Sequence, residues 1–314
     1  MQAIIDKIDR KILKEELAKN RFVRYTNNGN NEIYIITHHD SPNVMLEIGR
    51  LREFSFRYAG GGTGKSVDID HFDTSEHCYK QLLVWNPTEE EIVGAYRYIK
   101  CKDAQKIGGK ADLATTELFH FSPLFYEKYF NETIELGRSF VQPAYQPAEH
   151  FRKGIFSLDN LWDGLGALVV DNNDINYFFG KVTIFSQYKS LARDLLLTFL
   201  HHYFPDPDLL VVPVKPVDVK SDVALFKNEL KTLAYKDGLN LLNKNIRAVN
   251  ENIPPLVNAY MNLSSTMKTF GTAINEGFGE VDETGIMIYI PDIYETKKAR
   301  HINSYRALRE GSLK

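Results

Sequence analysis

Residues 133–141, TIELGRSFV, carry the reading of the fold. Their β-branched and apolar side chains suit a strand, yet Glu135 and Arg138 place two charges inside a segment that otherwise looks buried. Side chains of a regular strand alternate between faces, so residues three apart point opposite ways. Each charge then needs its own buried partner unless a bulge intervenes. Working outward, the partners on offer are Arg52 ahead of a glycine-rich loop, Asp68, Asp70 and Asp73 behind it, and Arg97 in an apolar strand. Taken singly, each of these residues fits a sheet-stiffening ion pair as well as a site. As a group they favour function.

The flanking elements follow from spacing. Ile4, Ile5, Ile8, Ile12, Leu13 and Leu17 predict an amphipathic N-terminal helix, and residues 22–25 and 33–36 predict a hairpin around NNGNN. Ser41-Pro42 starts a helix with Val44, Ile48 and Leu51 on one face, and Gly60–Gly64 ends it. Residues 81–85 and 92–99 form a second hairpin across NPTEEE. Ser157 is the expected N-cap of a helix, 176–185 a strand, and 188–203 an apolar helix. A proline-rich start at 205 opens an expected insertion running to 252 within a single domain spanning 1–314. Pro254-Pro255 opens a further helix, 272–276 and 286–290 supply the last strands, and the tail from Lys297 is polar and basic.

Composition removes several classes of function. Thirty-eight Lys and Arg against 41 Asp and Glu leave a formal charge of −3, which gives no broad field for nucleic acid. Two cysteines, with no Cys-x-x-Cys and no zinc-spaced histidines, lend no support to a disulfide scaffold or a metal site. The pairs His38-His39 and His201-His202 are adjacent, a spacing that does not let two rings share a metal on one face. The N-terminal residues lack the unbroken apolar core of an export signal, and no run nears the roughly 18 apolar residues of a membrane span. We expect a cytoplasmic protein, at most peripheral at the inner face of the membrane.

AGGGTGKS, residues 59–66, is similar to a relaxed phosphate-binding loop, which makes a nucleotide hydrolase the alternative reading. Such a loop needs a strand before it and a helix N-terminus after it. Here LREFSFRY ends a helix pattern, and VDIDHFD brings carboxylates that repel phosphate. A mobile loop beside a site is the simpler reading.

Four strings in order, LREFSF (51–56), VDIDHFD (67–73), VGAYRY (93–98) and IELGRSFV (134–141), resemble the acyl-homoserine-lactone synthases and the ornithine-lipid and glycine-lipid N-acyltransferases of the GNAT superfamily. IPPLVNAYMNLSSTMKTFGTAINEGFG (253–279) resembles the end of the aminolipid branch, often labelled hemolysin-like. A membrane-active toxin, which that label would suggest, needs a long apolar or amphipathic segment that the chain lacks. The resemblance implies an α/β (α+β) fold whose central, mixed but mostly antiparallel sheet is flanked by helices and splayed between its fourth and fifth strands, IELGRSFV and INYFFGKVTIF. It implies a long-chain acyl group passing from acyl carrier protein, or from acyl-CoA, to a small amine, with no cofactor resident.

Amide formation needs a proton acceptor for the amine, a holder for the oxyanion and a proton for the departing thiolate. A carboxylate in a partly dry site suits the first, and Glu135 is the first choice with Asp70 second. Backbone amides of the fourth strand suit the second, and Tyr188 is the candidate for the third. Arg52, Arg97 and Arg138 can hold an acceptor carboxylate or pair with Asp70, Asp73 and Glu135. Phe56 and Trp162 are candidate walls of an acyl tunnel. The resemblance also implies that the helix from Ser157 offers its amides to the phosphopantetheine phosphate, with Arg152 and Lys153 adding charge.

Overall fold

The computed structural model describes residues 1–17, 19–146, 154 and 156–311. The chain is an α/β protein of sheets flanked by helices and divides into two compact units: Met1–Ala114, Asn131–Asn176 and Tyr294–Lys314 in one, Thr115–Phe130 and Tyr177–Ile293 in the other.

In the first unit β1 (Phe22–Tyr25), β2 (Glu32–Ile36), β3 (Lys80–Asn86), β4 (Glu91–Lys100) and β5 (Thr133–Val141) pair in that order, each antiparallel to the next. Both expected hairpins and the charged strand are therefore present. Helix α1 (Arg10–Glu16) packs on α2 (Pro42–Tyr58), and α3 (Ser157–Asp171) packs across β3 and β4. In α2, Pro42 occupies the first turn, where a missing N–H costs nothing, and Val44, Ile48 and Leu51 are buried as their spacing predicts. The glycines then end it, with Gly60, Gly62 and Gly64 all at positive φ.

Two expectations in this unit are corrected. The N-terminal helix begins only at Arg10, where Asp9 caps it by accepting from the Lys11 amide at 2.8 Å. The residues before it run along the glycine loop, with Gln2 N bonded to Gly64 O at 2.8 Å and Ile5 N to Ser66 O at 3.1 Å. Tertiary partners for these amides outweigh helical spacing. Ser157 is not an N-cap: it lies inside α3, whose cap position is Phe156, and its hydroxyl donates to Tyr145 O at 2.9 Å. The polar, basic tail from Lys297 folds against the same unit. It forms a wide helical turn over Lys298–Asn303 and a helix over Ser304–Arg309, burying His301, Ile302 and Tyr305 against α3. Gly166 permits this approach, since a Cβ there would stand 2.1 Å from His301 O.

In the second unit β6 (Tyr177–Ile184) and β7 (Lys268–Asn275) flank β8 (Val281–Tyr289), both antiparallel to it. The last two strands are longer than expected, and in β7 Gly271, at φ +79°, sits in a register shift that hides the continuity of the strand from the sequence pattern. Helix α4 (Ser190–Tyr203) packs on α5 (Ala224–Leu230) and α6 (Tyr235–Ala248), both within the stretch 205–252, and α7 (Pro255–Met261) follows. Buried Asp194 anchors that stretch by accepting from the amides of Lys220 and Ser221 at 3.0 and 2.8 Å. Among the described residues no helix is long and apolar enough to cross a membrane.

Candidate active site

The first unit gathers the scattered charges into one cluster. Arg52 Nη1 of α2 meets both oxygens of Asp73 at 3.1 and 3.0 Å, and its Nη2 donates to Gln81 Oε1 of β3 at 2.6 Å. Gln81 Nε2 closes the ring by donating to Asp73 Oδ1 at 3.0 Å. Arg97 Nη1 of β4 contacts both oxygens of Asp70 at 2.8 Å and lies 3.4 Å from Asp73 Oδ2. Arg138 Nε of β5 stands 3.1 Å from Asp68 Oδ2, and its Nη2 3.8 Å from Asp70 Oδ2. Three guanidiniums thus face three aspartates, which compensates charges that would be prohibitive if buried singly.

A bulge makes this possible. Ala95 faces Phe140, but Arg97 faces Gly137, so β5 carries one residue more than β4 between these pairs. Arg138 itself takes φ +46°, an uncommon conformation for a residue with a Cβ. Glu135 and Gly137 share a face by alternation, and Arg97 lies opposite Gly137. The extra residue brings Arg138, which a regular strand would turn away, to aspartates on that same side. Glu135 keeps a separate partner: buried Tyr79 donates to its Oε1 at 2.8 Å.

The electrostatics differ sharply from one carboxylate to the next. Burial alone would raise Asp73, but the charges of Arg52 and Arg97 hold it well below the usual carboxylate range. Burial wins at Asp68, whose carboxyl is raised because Arg138, Arg52 and Arg97 only partly offset its desolvation. Asp70 is the most open of the three, with its side chain 26% exposed against 0% for Asp73 and 1% for Asp68.

An acetyltransferase (GNAT) domain model matches residues 51–152, the stretch that contains this entire cluster. A glycine N(alpha)-acyltransferase of Bacteroides thetaiotaomicron is 52% identical over 310 residues, covering 97% of this chain and 91% of that protein. The corresponding enzyme of Phocaeicola vulgatus is 51% identical over 306 residues, covering 97% and 94%. The chain belongs to this GNAT N-acyltransferase family. A more distant relative, the L-ornithine N(alpha)-acyltransferase of Rhizobium meliloti, is 28% identical over 270 residues, covering 82% of this chain and 77% of that one.

Within the acyltransferase, the cluster brings together Arg52, Asp70, Asp73, Arg97 and Arg138, joined to Glu135 through Tyr79, whose ring lies 5.2 Å from the Arg97 guanidinium. Phe56 is buried one turn beyond Arg52 on α2, and Trp162 is half-buried on α3. Tyr188 lies in the second unit, where its hydroxyl donates to Asn252 O at 3.0 Å and burial pushes its phenol up. The Ser157 hydroxyl is engaged by Tyr145, and Arg152 and Lys153 lie outside the described residues.

The glycine loop has an internal occupant. The Glu53 carboxylate accepts from Thr63 N at 3.0 Å, Thr63 Oγ1 at 2.7 Å and Gly64 N at 2.8 Å, and Arg57 Nε donates to it at 2.7 Å. Burial would raise this carboxyl, yet these donors hold it below its ordinary value. Donors that a phosphate loop would aim at nucleotide are spent on Glu53, and no helix opens at Ser66. The nucleotide-hydrolase alternative has no support. Among the described residues no group of three or more His, Cys, Asp or Glu could hold a metal.

Sequence reasoning missed Gln81 and Tyr79. The only signal for Gln81 is one polar residue at the head of the apolar run QLLVW, and Tyr79 is one aromatic in a short loop.

Proposed function

We propose that this acyltransferase moves a long-chain acyl group from the phosphopantetheine thioester of acyl carrier protein to the amine of glycine, as a step in aminolipid synthesis. The observation that carries the acceptor is the identity of about half of all aligned residues with two proteins named for glycine. The four-string resemblance supports the carrier. On this reading the whole chain is one catalytic domain with 205–252 inserted, working in the cytoplasm and meeting the membrane peripherally.

The cluster suggests how labour is divided. Arg52 and Arg97 are engaged by Asp73, Asp70 and Gln81, so they shape the site. Arg138, with its side chain 15% exposed, and Asp70 form the edge that an amino acid can approach, carboxylate to guanidinium. The ammonium proton passes to Glu135, directly or through water. The free amine attacks the thioester carbon, the oxyanion leans on backbone amides of β5 near the bulge, and the C–S bond breaks to release thiolate, which takes up the proton that the attacking nitrogen sheds on becoming an amide. The N-terminal amides of α3 receive the phosphopantetheine phosphate, with Arg152 and Lys153 adding charge. Phe56, Trp162 and Tyr188 carry no step of this reading.

Purified protein with palmitoyl acyl carrier protein and glycine should release free thiol and yield N-palmitoylglycine, read by thiol titration and mass spectrometry. An intact thioester after incubation with glycine, ornithine, serine and lysine in turn would remove the proposal. Product from palmitoyl-CoA alone would change the donor.

A further inference from the structure

Tyr79 precedes β3 and is 1% exposed, and its hydroxyl lies between two fixed partners. It donates to Glu135 Oε1 at 2.8 Å and accepts from Ala114 N at 3.0 Å. A phenol has a single proton to give, and with a backbone N–H directed at its oxygen that proton points to Glu135. The ring cannot swing away, because the Arg97 guanidinium lies 5.2 Å above it and Phe72 packs edge-on at 5.6 Å.

Glu135 is itself 1% exposed, and a carboxylate in such a place gains by protonation unless something stabilises its charge. Charged and titratable groups face this pair from each side. Arg97 comes from β4, backed by Asp70 and Asp73, and the buried Cys101 thiol lies just past the end of β4, pushed up by burial and by the Glu135 charge. The phenol of Tyr79 is likewise pushed up by burial and by Glu135, so it remains a donor at neutral pH.

We propose that Tyr79 is a positioning residue that clamps the Glu135 carboxylate in one orientation and keeps it ionised to take the proton from the attacking amine. The proposal rests on the reading of Glu135 as proton acceptor. In this role Tyr79 acts through Glu135 and links that residue to the Arg–Asp cluster by way of Arg97.

Tyr79→Phe keeps the ring and its contacts with Arg97 and Phe72 and deletes only the hydroxyl. Turnover should fall by roughly ten- to a hundredfold with the KM for acyl donor nearly unchanged. The acid limb of the kcat/KM profile should move up by about one pH unit, because the ionised carboxylate has lost a donor. In a Glu135→Gln background the same substitution should cause no further loss. If Glu135→Gln is slow while Tyr79→Phe keeps wild-type turnover and profile, the positioning proposal is overturned and the acceptor reading stands. If Glu135→Gln retains wild-type turnover, the acceptor reading falls and takes the proposal with it. Should Tyr79→Phe fail to fold, 3-fluorotyrosine at position 79 replaces it. A more acidic phenol donates more strongly and should move the acid limb down, and an unmoved limb counts against the proposal.

Discussion

Arg52 and Asp73 meet at 3.0 Å with no solvent exposure on either side chain, so the candidate site is built around a fully buried ion pair. Removing Arg52 takes the nearest counter-charge from buried Asp73, which keeps Arg97 at 3.4 Å and Gln81 at 3.0 Å, and breaking a buried pair typically costs about 3–5 kcal/mol. Arg52→Met should therefore lower the melting temperature sharply, and the paired Arg52→Met, Asp73→Leu variant should recover part of the loss, since Arg97 keeps Asp70 while Gln81 loses both side-chain partners. Calorimetry on the two proteins decides this. A single variant melting beside the wild type would mean that the pair contributes little.

The same aspartate sets a pH dependence. Because its folded pKa is depressed, Asp73 contributes stability that is present above its unfolded value of about 3.9 and is lost as pH falls toward the folded pKa. In urea titrations the gap between wild type and Asp73→Asn should hold from pH 7 to pH 5 and shrink below about pH 4. Asp68 runs the other way, since its pKa is raised and its contribution fades as pH rises through the folded value. Asp68→Asn should gain on the wild type with rising pH.

At the glycine loop, Lys65 is exposed and Glu53 is the group that organises the backbone. Lys65→Ala should fold normally and lose less than about tenfold in turnover, having no charge-assisted contact to a phosphate. Glu53→Ala should instead destabilise by about 1–3 kcal/mol for the stranded donors. Nucleotide binding by the wild type, abolished in Lys65→Ala, would reverse this view of the loop.

Within β5, Glu135→Gln retains size and hydrogen bonding but cannot take a proton. It should melt near the wild type and turn over roughly 10²- to 10⁴-fold more slowly. Arg138→Ala should lose both stability and activity, because it abandons Asp68 and Asp70 and removes the residue that holds the bulge. Early melting with near-normal turnover in Glu135→Gln would move the proton acceptor to Asp70.

The terminal helix offers a test of packing alone. Gly166→Ala drives a methyl into backbone at 2.1 Å from His301 O, and overpacking of this kind costs about 1–3 kcal/mol. Amide exchange over residues 298–309 should quicken more than exchange in β3 or β4. Uniform protection in both places would show that the tail docks without this close approach.

Local periodicity in the sequence was enough to locate both hairpins, α2, the helix from residue 157 and the charged strand, because alternation and helical spacing are properties of a few adjacent residues. The membership of the charge cluster was also largely legible, since Arg52, Asp70, Asp73, Arg97, Glu135 and Arg138 are unusual wherever apolar neighbours surround them. Partnership was not. Arg138 reaches Asp68 only because β5 carries an extra residue against β4, and a one-residue change in register is invisible to either strand alone. Tyr79, Gln81 and Glu53 carry no local mark of their roles. Their partners come from packing: Tyr79 meets a carboxylate 56 residues away, Gln81 bonds a side chain 29 residues away, and Glu53 bonds a loop folded back on its own helix. The first residues of the chain read as helix but fold without one, because the carbonyls of Gly64 and Ser66 take up the amides of Gln2 and Ile5. Only the tertiary structure brings those carbonyls there.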